Sequence, residues 1–234
     1  MLISLHLPKT AGTSFAAALE SRFGPRLLRD YADLPINTPR SERHAAAFRA
    51  GLAMAETGGP DAHCIHGHFL PVKYLPLADR RDVRFITWIR DPVARVLSHY
   101  YYWQRTYNPQ SAPTLHRKVM EEGWSVERFC LGPELRNLYC QFLWAFPLEN
   151  FEFIGVTEYY DEDLTYFARR YLGTTVEPVR LNGAAAEPPV PASLRDEIAA
   201  AHADDVALYQ RALARRRSRP AAADQPGIPA AEYS

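Results

Sequence analysis

Several things are scarce in this chain of 234 residues, and each scarcity removes a class of function. There are three cysteines, Cys64, Cys130 and Cys140, with no C-x-x-C spacing. That pattern indicates neither a disulfide framework nor a zinc ribbon, and free thiols in a reducing compartment are the simpler expectation. Net charge is zero, so no global basic field argues for nucleic acid as a partner. No long apolar run is present, and the N-terminus enters a strand-like segment at once without a basic leader. The expectation is therefore a chain with no membrane span. Lysine is scarce too: Lys9, Lys73 and Lys118 are the only ones against many arginines. What is abundant is core material, 47% hydrophobic against 23% charged, enough for one folded domain of ordinary size. No internal repeat is evident.

One of the three lysines stands in the most informative segment. Leu2 to Leu7 is a short apolar run ending at Pro8, as a buried strand would. Thr13 to Phe23 predicts a helix with Phe15, Leu19 and Phe23 on one face and Thr13 or Ser14 near its N-cap. Between them runs Pro8-Lys9-Thr10-Ala11-Gly12. Backbone N–H groups of a small turn, together with the positive end of a helix dipole, favour an oxyanion, and Lys9 can add a point charge. The nucleotide-triphosphate loop reads G-x-x-x-x-G-K-[ST]; here the lysine precedes the only glycine and the turn is shorter, which suits one anionic group better than a diphosphate.

A second segment has the same architecture. Val83 to Ile89 predicts a strand and runs straight into Arg90-Asp91-Pro92-Val93-Ala94-Arg95-Val96-Leu97-Ser98. Asp91 fits an N-cap and Pro92 a first helical turn, so Ser98 lies about two turns along. Arg90 and Ser98 can clamp a phosphate, because a guanidinium offers a fork of donors to paired oxygens. Read blandly, Arg95 is a surface residue.

PKTAGTSF and RDPVARVLS, in that order, resemble the cofactor signature of PAPS-dependent sulfotransferases, closest to the carbohydrate branch with the heparan sulfate and uronyl 2-O-sulfotransferases. His66-Gly67-His68-Phe69, Ser98 to Tyr102 and Phe153 to Glu158 add to the likeness, which spans about residues 2–182. The resemblance implies that PAPS is co-substrate and PAP product. Pro8, Lys9, Thr10, Ala11, Gly12, Thr13, Ser14 and Phe15 would hold the 5′-phosphosulfate, and Arg90 with Ser98 the 3′-phosphate. No metal is required by that scheme. Eukaryotic relatives are membrane-anchored Golgi proteins; this chain departs from them, so a bacterial-type, cytoplasmic enzyme is expected. The acceptor would be a hydroxyl of a glycan or glycoconjugate.

Sulfuryl transfer to an alcohol needs a base, and histidine titrates near neutral pH. In an extended segment His66 and His68 share a face, with Gly67 allowing close approach. In the family a matching H-x-H pair supplies the base, so the resemblance implies that role for His68, with His66 in support and Lys9 stabilising the leaving phosphate. Alternatively the two histidines are half of a metal site, or structural hydrogen-bonding groups. The Tyr100-Tyr101-Tyr102-Trp103 cluster and Arg80, Arg81 and Arg84 could face an acceptor or serve as core and surface. Arg136-Asn137-Leu138-Tyr139 stands where relatives carry a substrate segment, and Arg180-Leu181-Asn182-Gly183 where a late loop closes.

The fold class expected is α/β, a P-loop-like three-layer arrangement with a mostly parallel sheet between helices. Strands are predicted near 2–7, 62–66, 83–89 and 152–156, and helices near 41–56, 113–121, 125–130, 133–145, 160–172 and 193–217. Residues 1–217 would form a single domain and 218–234 a disordered tail. Two other functions share the anion loop: a nucleotide or small-molecule kinase, and a non-catalytic module that binds PAP.

Overall fold

The computed structural model describes residues 1–175 and 188–220, less the side chain of Thr13. Five strands form one parallel sheet: β1 (Leu2–Leu5), β2 (Leu27–Asp30), β3 (Cys64–Gly67), β4 (Arg84–Ile89) and β5 (Phe151–Val156), in the order β2-β3-β1-β4-β5. Helices α1 (Gly12–Phe23), α2 (Arg40–Thr57), α3 (Pro92–Thr106), α4 (Thr114–Glu121), α5 (Val126–Leu131), α6 (Leu138–Phe142), α7 (Tyr160–Phe167), α8 (Ala192–Ala201) and α9 (Ala203–Arg217) cover it. The three-layer α/β class is the one the sequence predicts.

Strand alternation decides which face each residue enters. Leu2, Cys64, Ile86, Trp88 and Phe153 pack against Phe15, Leu19 and Phe23 of α1 and Leu164 and Phe167 of α7. Ile3, Leu5, Ile65, Phe85 and Ile89 build the larger core with α3, α5, α6, α8 and α9. Full burial of a side chain such as Phe15 or Leu19 stabilises the fold by ~1.5–3 kcal/mol.

Three elements differ from the sequence expectation. Strand β2 is not predicted, because Leu27-Leu28-Arg29-Asp30 is four residues of an edge strand with Leu28 and Arg29 exposed. The helix expected over 133–145 shrinks to α6, since Asn137 (φ 49°) and Ala145 (φ 54°) both turn left-handed. The long helix expected over 193–217 breaks at His202 (φ −108°), whose ring is fully buried and bonds the Cys130 carbonyl at 2.9 Å.

Ligands of parallel sheets bind outside the carboxyl ends of the strands, where successive connections diverge. Here β1 connects through α1 toward β2, while β4 connects through α3 toward β5 on the other side. The loops after β1, β3 and β4 therefore rise beside one another from neighbouring strands. Arg219, which the sequence reading places in the tail, donates to Asp163 at 3.0 Å and to the Ile154 carbonyl at 2.6 Å. Residues 221–234 and the Arg180–Gly183 loop lie outside the described residues.

Candidate functional site

The loop after β1 is held in an unusual backbone shape. Lys9 (φ 68°) and Ala11 (φ 64°) are both left-handed, with Thr10 between them not so. For residues with a Cβ each such conformation costs roughly 1–2 kcal/mol, and alternation of this kind curls successive N–H groups inward to form an anion nest. Thr10, fully buried, donates its hydroxyl to the Leu7 carbonyl at 2.7 Å and so ties the turn. Helix α1 then starts at Gly12 with Ala11 as N-cap, no side-chain cap and no acidic residue in its first turn. A helix start of this kind is one that an anion could meet. Lys9 Nζ sits 3.8 Å from the Tyr102 ring centroid, so this loop and α3 meet.

Phe15, one of the positions expected to hold the cofactor, turns its side chain away from the loop. It is 1% exposed and its ring packs on Trp88 (5.3 Å) and Phe167 (5.0 Å). Its part is to seat α1 on the sheet. The Thr13 side chain lies outside the described part, while Pro8, Ala11 and Ser14 are half-buried along the loop.

After β4 the backbone of Arg90 is clamped on both sides. The Tyr139 hydroxyl donates to the Arg90 carbonyl at 2.8 Å and accepts from its N–H at 3.1 Å. Asp91 caps α3 as expected, accepting from Ala94 N at 2.8 Å, and its own N–H donates to Glu158 at 2.9 Å. No carboxylate among the described residues forms an ion pair with the Arg90 guanidinium. Ser98 is buried, 5% exposed, on the inner part of α3. Arg95 is not at the surface: it is fully buried, its three guanidinium nitrogens find no partner among the described residues, and burial lowers its pKa.

The loop end of β3 brings His66 and His68 together, with a third histidine the sequence reading did not single out. His6 lies between them, its ring 5.1 Å from that of His66 and 4.3 Å from that of His68, at 18° and 30° between planes. Ser4 pairs with His66 in the parallel ladder, so His6 and His68 extend the same row. His66 is 2% exposed, its Nδ1 is 2.9 Å from the Ser4 hydroxyl, and its Nε2 has no partner among the described residues. Burial pushes its pKa down to about 3, with His68 and Arg29 adding to the effect. His68 Nδ1 bonds the His6 carbonyl. A carbonyl only accepts, so Nδ1 carries the proton and Nε2 presents a lone pair. Burial lowers the His68 pKa and that hydrogen bond partly restores it.

Tyr31, from the chain just past β2, stands edge-on to His68 at 5.0 Å with its hydroxyl 3.2 Å from His6 Nδ1. Gly12 is required here, because a Cβ would lie 1.7 Å from His6 Nε2. Stacked imidazoles do not converge on a point, and among the described residues no group of three or more His, Cys, Asp or Glu side chains is placed to hold a metal ion.

Other expected contacts fall elsewhere. Asn137 joins α6 to α9, its side chain donating to Asp204 at 2.7 Å and accepting from Asp205 N at 3.3 Å. Arg84 begins β4, at the opposite end of the strands from the loops, and pairs with Glu152 at 2.8 Å. Arg80 pairs with Asp82. Of the aromatic cluster, Tyr100 and Trp103 pack on Phe129, and Tyr102 alone is exposed. Sequence reasoning did not single out His6 or Tyr31 and named Tyr139 and Glu158 only within longer stretches; as supports these four act across separations of 25 to 67 residues. Only the His6–His68 row could have been found, by pairing the two His-bearing segments as neighbouring parallel strands.

No family model matches the chain, and no curated protein matches it. Among solved structures, it is similar to a sulfotransferase from Alicyclobacillus acidocaldarius, with 16% identity and a TM-score of 0.47, over 95% of this chain and 97% of that one. Among the described residues, no helix is long and apolar enough to cross a membrane.

Proposed function

We propose that this chain is a sulfotransferase that moves a sulfuryl group from PAPS to a hydroxyl of an acceptor. The observation that carries the reading is the shared origin of three loops. Lys9 follows central β1, His68 follows β3 on one side, and Arg90 follows β4 on the other, all at the same end of one parallel sheet. The motif resemblance supports PAPS as the donor, and the loop chemistry fits it: a nest and an uncapped helix start for one oxyanion, an arginine one strand away for a second.

When bound, PAPS would supply an activated sulfuryl group on a phosphate. The N–H groups from Thr10 to Ser14 would cradle the 5′-phosphosulfate, and Lys9 would meet charge building on the bridging oxygen. Tyr102 holds that ammonium by cation–π attraction, a weaker partner than a phosphate oxygen. Arg90, its backbone locked by Tyr139, and Ser98 would take the 3′-phosphate. His68 is neutral at pH 7 with Nε2 free of a proton, the form a general base must have. It would remove the acceptor's proton as oxygen attacks sulfur in line. Fixed donors aimed at developing charge are worth about 3 kcal/mol each in such sites. The acceptor in this reading is a carbohydrate hydroxyl, and the enzyme works in the cytoplasm.

Two measurements test it together. PAP at 100 times its Kd should stabilise the protein by ~2.7 kcal/mol, raising its melting temperature by roughly 5–10 °C, while ATP–Mg²⁺ should do little. Labelled sulfate should pass from PAPS to a hydroxyl in a panel of glycans. A response to ATP–Mg²⁺ and none to PAP would point to a kinase. A response to PAP with no transfer to any acceptor would reduce the chain to a binding module.

A further inference from the structure

The hydrogen bond that fixes His68 ends on the carbonyl of His6, and the His6 ring lies against His68 at 4.3 Å. Histidine bases are commonly oriented by a carboxylate, which also stabilises the imidazolium they become. No carboxylate among the described residues bears on His68. We infer that His6 takes that place as a positioning residue: its carbonyl fixes the His68 tautomer, and the face of its neutral ring stabilises the imidazolium. The inference rests on His68 being the base.

The physics asks two things of His6. Its carbonyl must stay in place, and it does, because the His6 N–H donates to Gly67 O at 2.8 Å and extends the β1–β3 ladder. Its ring must remain uncharged while His68 is charged, since a cation over a neutral π face is attracted and two imidazolium rings repel. Burial drives the His6 pKa well down, and His68, His66 and Lys9 drive it further. Ring position is fixed from two sides, by Tyr31 Oη at 3.2 Å on Nδ1 and by the bare Cα of Gly12 at the Nε2 edge.

The titratable and charged groups around the pair are few. His66 and, behind it, Arg29 act from β3 and β2; Lys9 acts from the loop before α1; Tyr31 borders the ring edges; His99 of α3 is near enough that Lys9 and His68 both depress it. Burial opposes protonation of His68 and the hydrogen bond to the His6 carbonyl favours it, so His6 is the neighbour that helps hold the proton there during transfer. In the step itself the acceptor oxygen bonds to sulfur and the sulfur–oxygen bond to phosphate breaks. The electron pair leaves on the phosphate oxygen, and the acceptor's proton goes to His68 Nε2.

The test is read on the full chain by long-range ¹H–¹⁵N spectra of the histidines, which need no turnover. Unaltered protein should show His68 with Nδ1 protonated; the Nε2–H tautomer there would overturn the inference outright. His6→Leu keeps the carbonyl and removes the ring face, whereas His6→Phe keeps a face. The His68 pKa should fall by about half a unit to one unit in His6→Leu and stay within about 0.3 unit in His6→Phe. The acid limb of the kcat–pH profile should move to lower pH in His6→Leu by the same interval, with kcat down three- to tenfold and acceptor KM unchanged. A structural role alone would leave both variants with the wild-type titration, or shift both alike. Should His68→Ala keep full activity, the base assignment fails, and the tautomer and titration still report separately on the His6–His68 contact.

Discussion

Two polar clusters stand side by side where β2 and β3 end, and they are built on opposite rules. In one, Lys73 Nζ bonds Asp30 at 2.7 Å and Asp33 at 2.9 Å, Tyr74 donates to Asp30 at 2.7 Å, and Leu70 N donates to Asp33 at 2.9 Å. In the other, His66 is buried and His6 and His68 are half-buried, no carboxylate is among them, and the His66 Nε2 has no hydrogen-bond partner among the described residues. Burial pulls the Lys73 pKa down, but its two aspartate hydrogen bonds outweigh this and the net shift is upward; burial wins for all three histidines. Paired charge holds its protons fixed and so serves architecture. Unpaired neutral imidazoles can take up a proton, and that is what chemistry needs. Asp30 and Tyr31 are chain neighbours, so the first cluster sets the position of the ring that borders the second.

The largest expected effect separates the two by function. His68→Ala should lower turnover ~10²–10⁴-fold with PAP-induced stabilisation unchanged, in a steady-state assay beside a thermal-shift titration. Asp30→Ala should do the reverse. The Lys73 and Asp30 side chains are only 14% and 6% exposed, so removing the shared carboxylate should destabilise the fold by about 2–4 kcal/mol in urea denaturation. If Asp30→Ala left stability unchanged and abolished turnover, the division of labour would be wrong.

The next prediction concerns pH. His66 titrates near 6.5 when unfolded and near 3 when folded. Between those values the unfolded chain binds a proton that the folded chain refuses, so stability is full above pH 6.5 and falls as pH falls. From well above pH 6.5 down to pH 5 this single group should cost about 2 kcal/mol. His66→Asn retains a polar atom near Ser4 and cannot be protonated. It should melt lower than the wild type at pH 7 yet lose less on going to pH 5. A variant that lost as much as the wild type would show that His66 is already charged in the fold, although no carboxylate among the described residues pairs with it.

How far these clusters could be foreseen depends on how local their causes are. The turn after β1, the cap at Asp91 and the α1 stripe of Phe15, Leu19 and Phe23 all lie within a few residues, and each is visible as composition and spacing. The inward turn of the Phe15 ring is not legible from the motif, because motif membership does not say which face a side chain enters. The bland reading of Arg95 as a surface residue follows from where charged residues usually lie; its fully buried position beside the Tyr139 ring depends on packing between α3 and α6. His6 escaped notice because its meaning depends on β1 lying beside β3, a pairing between segments 62 residues apart. Tyr31 depends on an edge strand too short to be seen.

Tyr31 gives the smallest effect and the finest division between the clusters. Its hydroxyl is 3.2 Å from His6 Nδ1, and the residue is 45% exposed, so water can replace that hydrogen bond. Tyr31→Phe should leave stability within ~0.5 kcal/mol, as for surface substitutions generally. The edge-on ring contact to His68 at 5.0 Å survives the change, so the base keeps its neighbour. What is lost is the group that pins the His6 ring, worth ~0.5–1.5 kcal/mol if it were fully sheltered and less here. Turnover should therefore fall about twofold with PAP affinity unchanged. Tyr31→Ala, which removes the ring as well, should fall further and loosen acceptor KM if the exposed face borders the acceptor. Equal behaviour of the two variants would mean that only the hydroxyl matters, and the ring would then belong to the Asp30 side of the boundary rather than to the histidines.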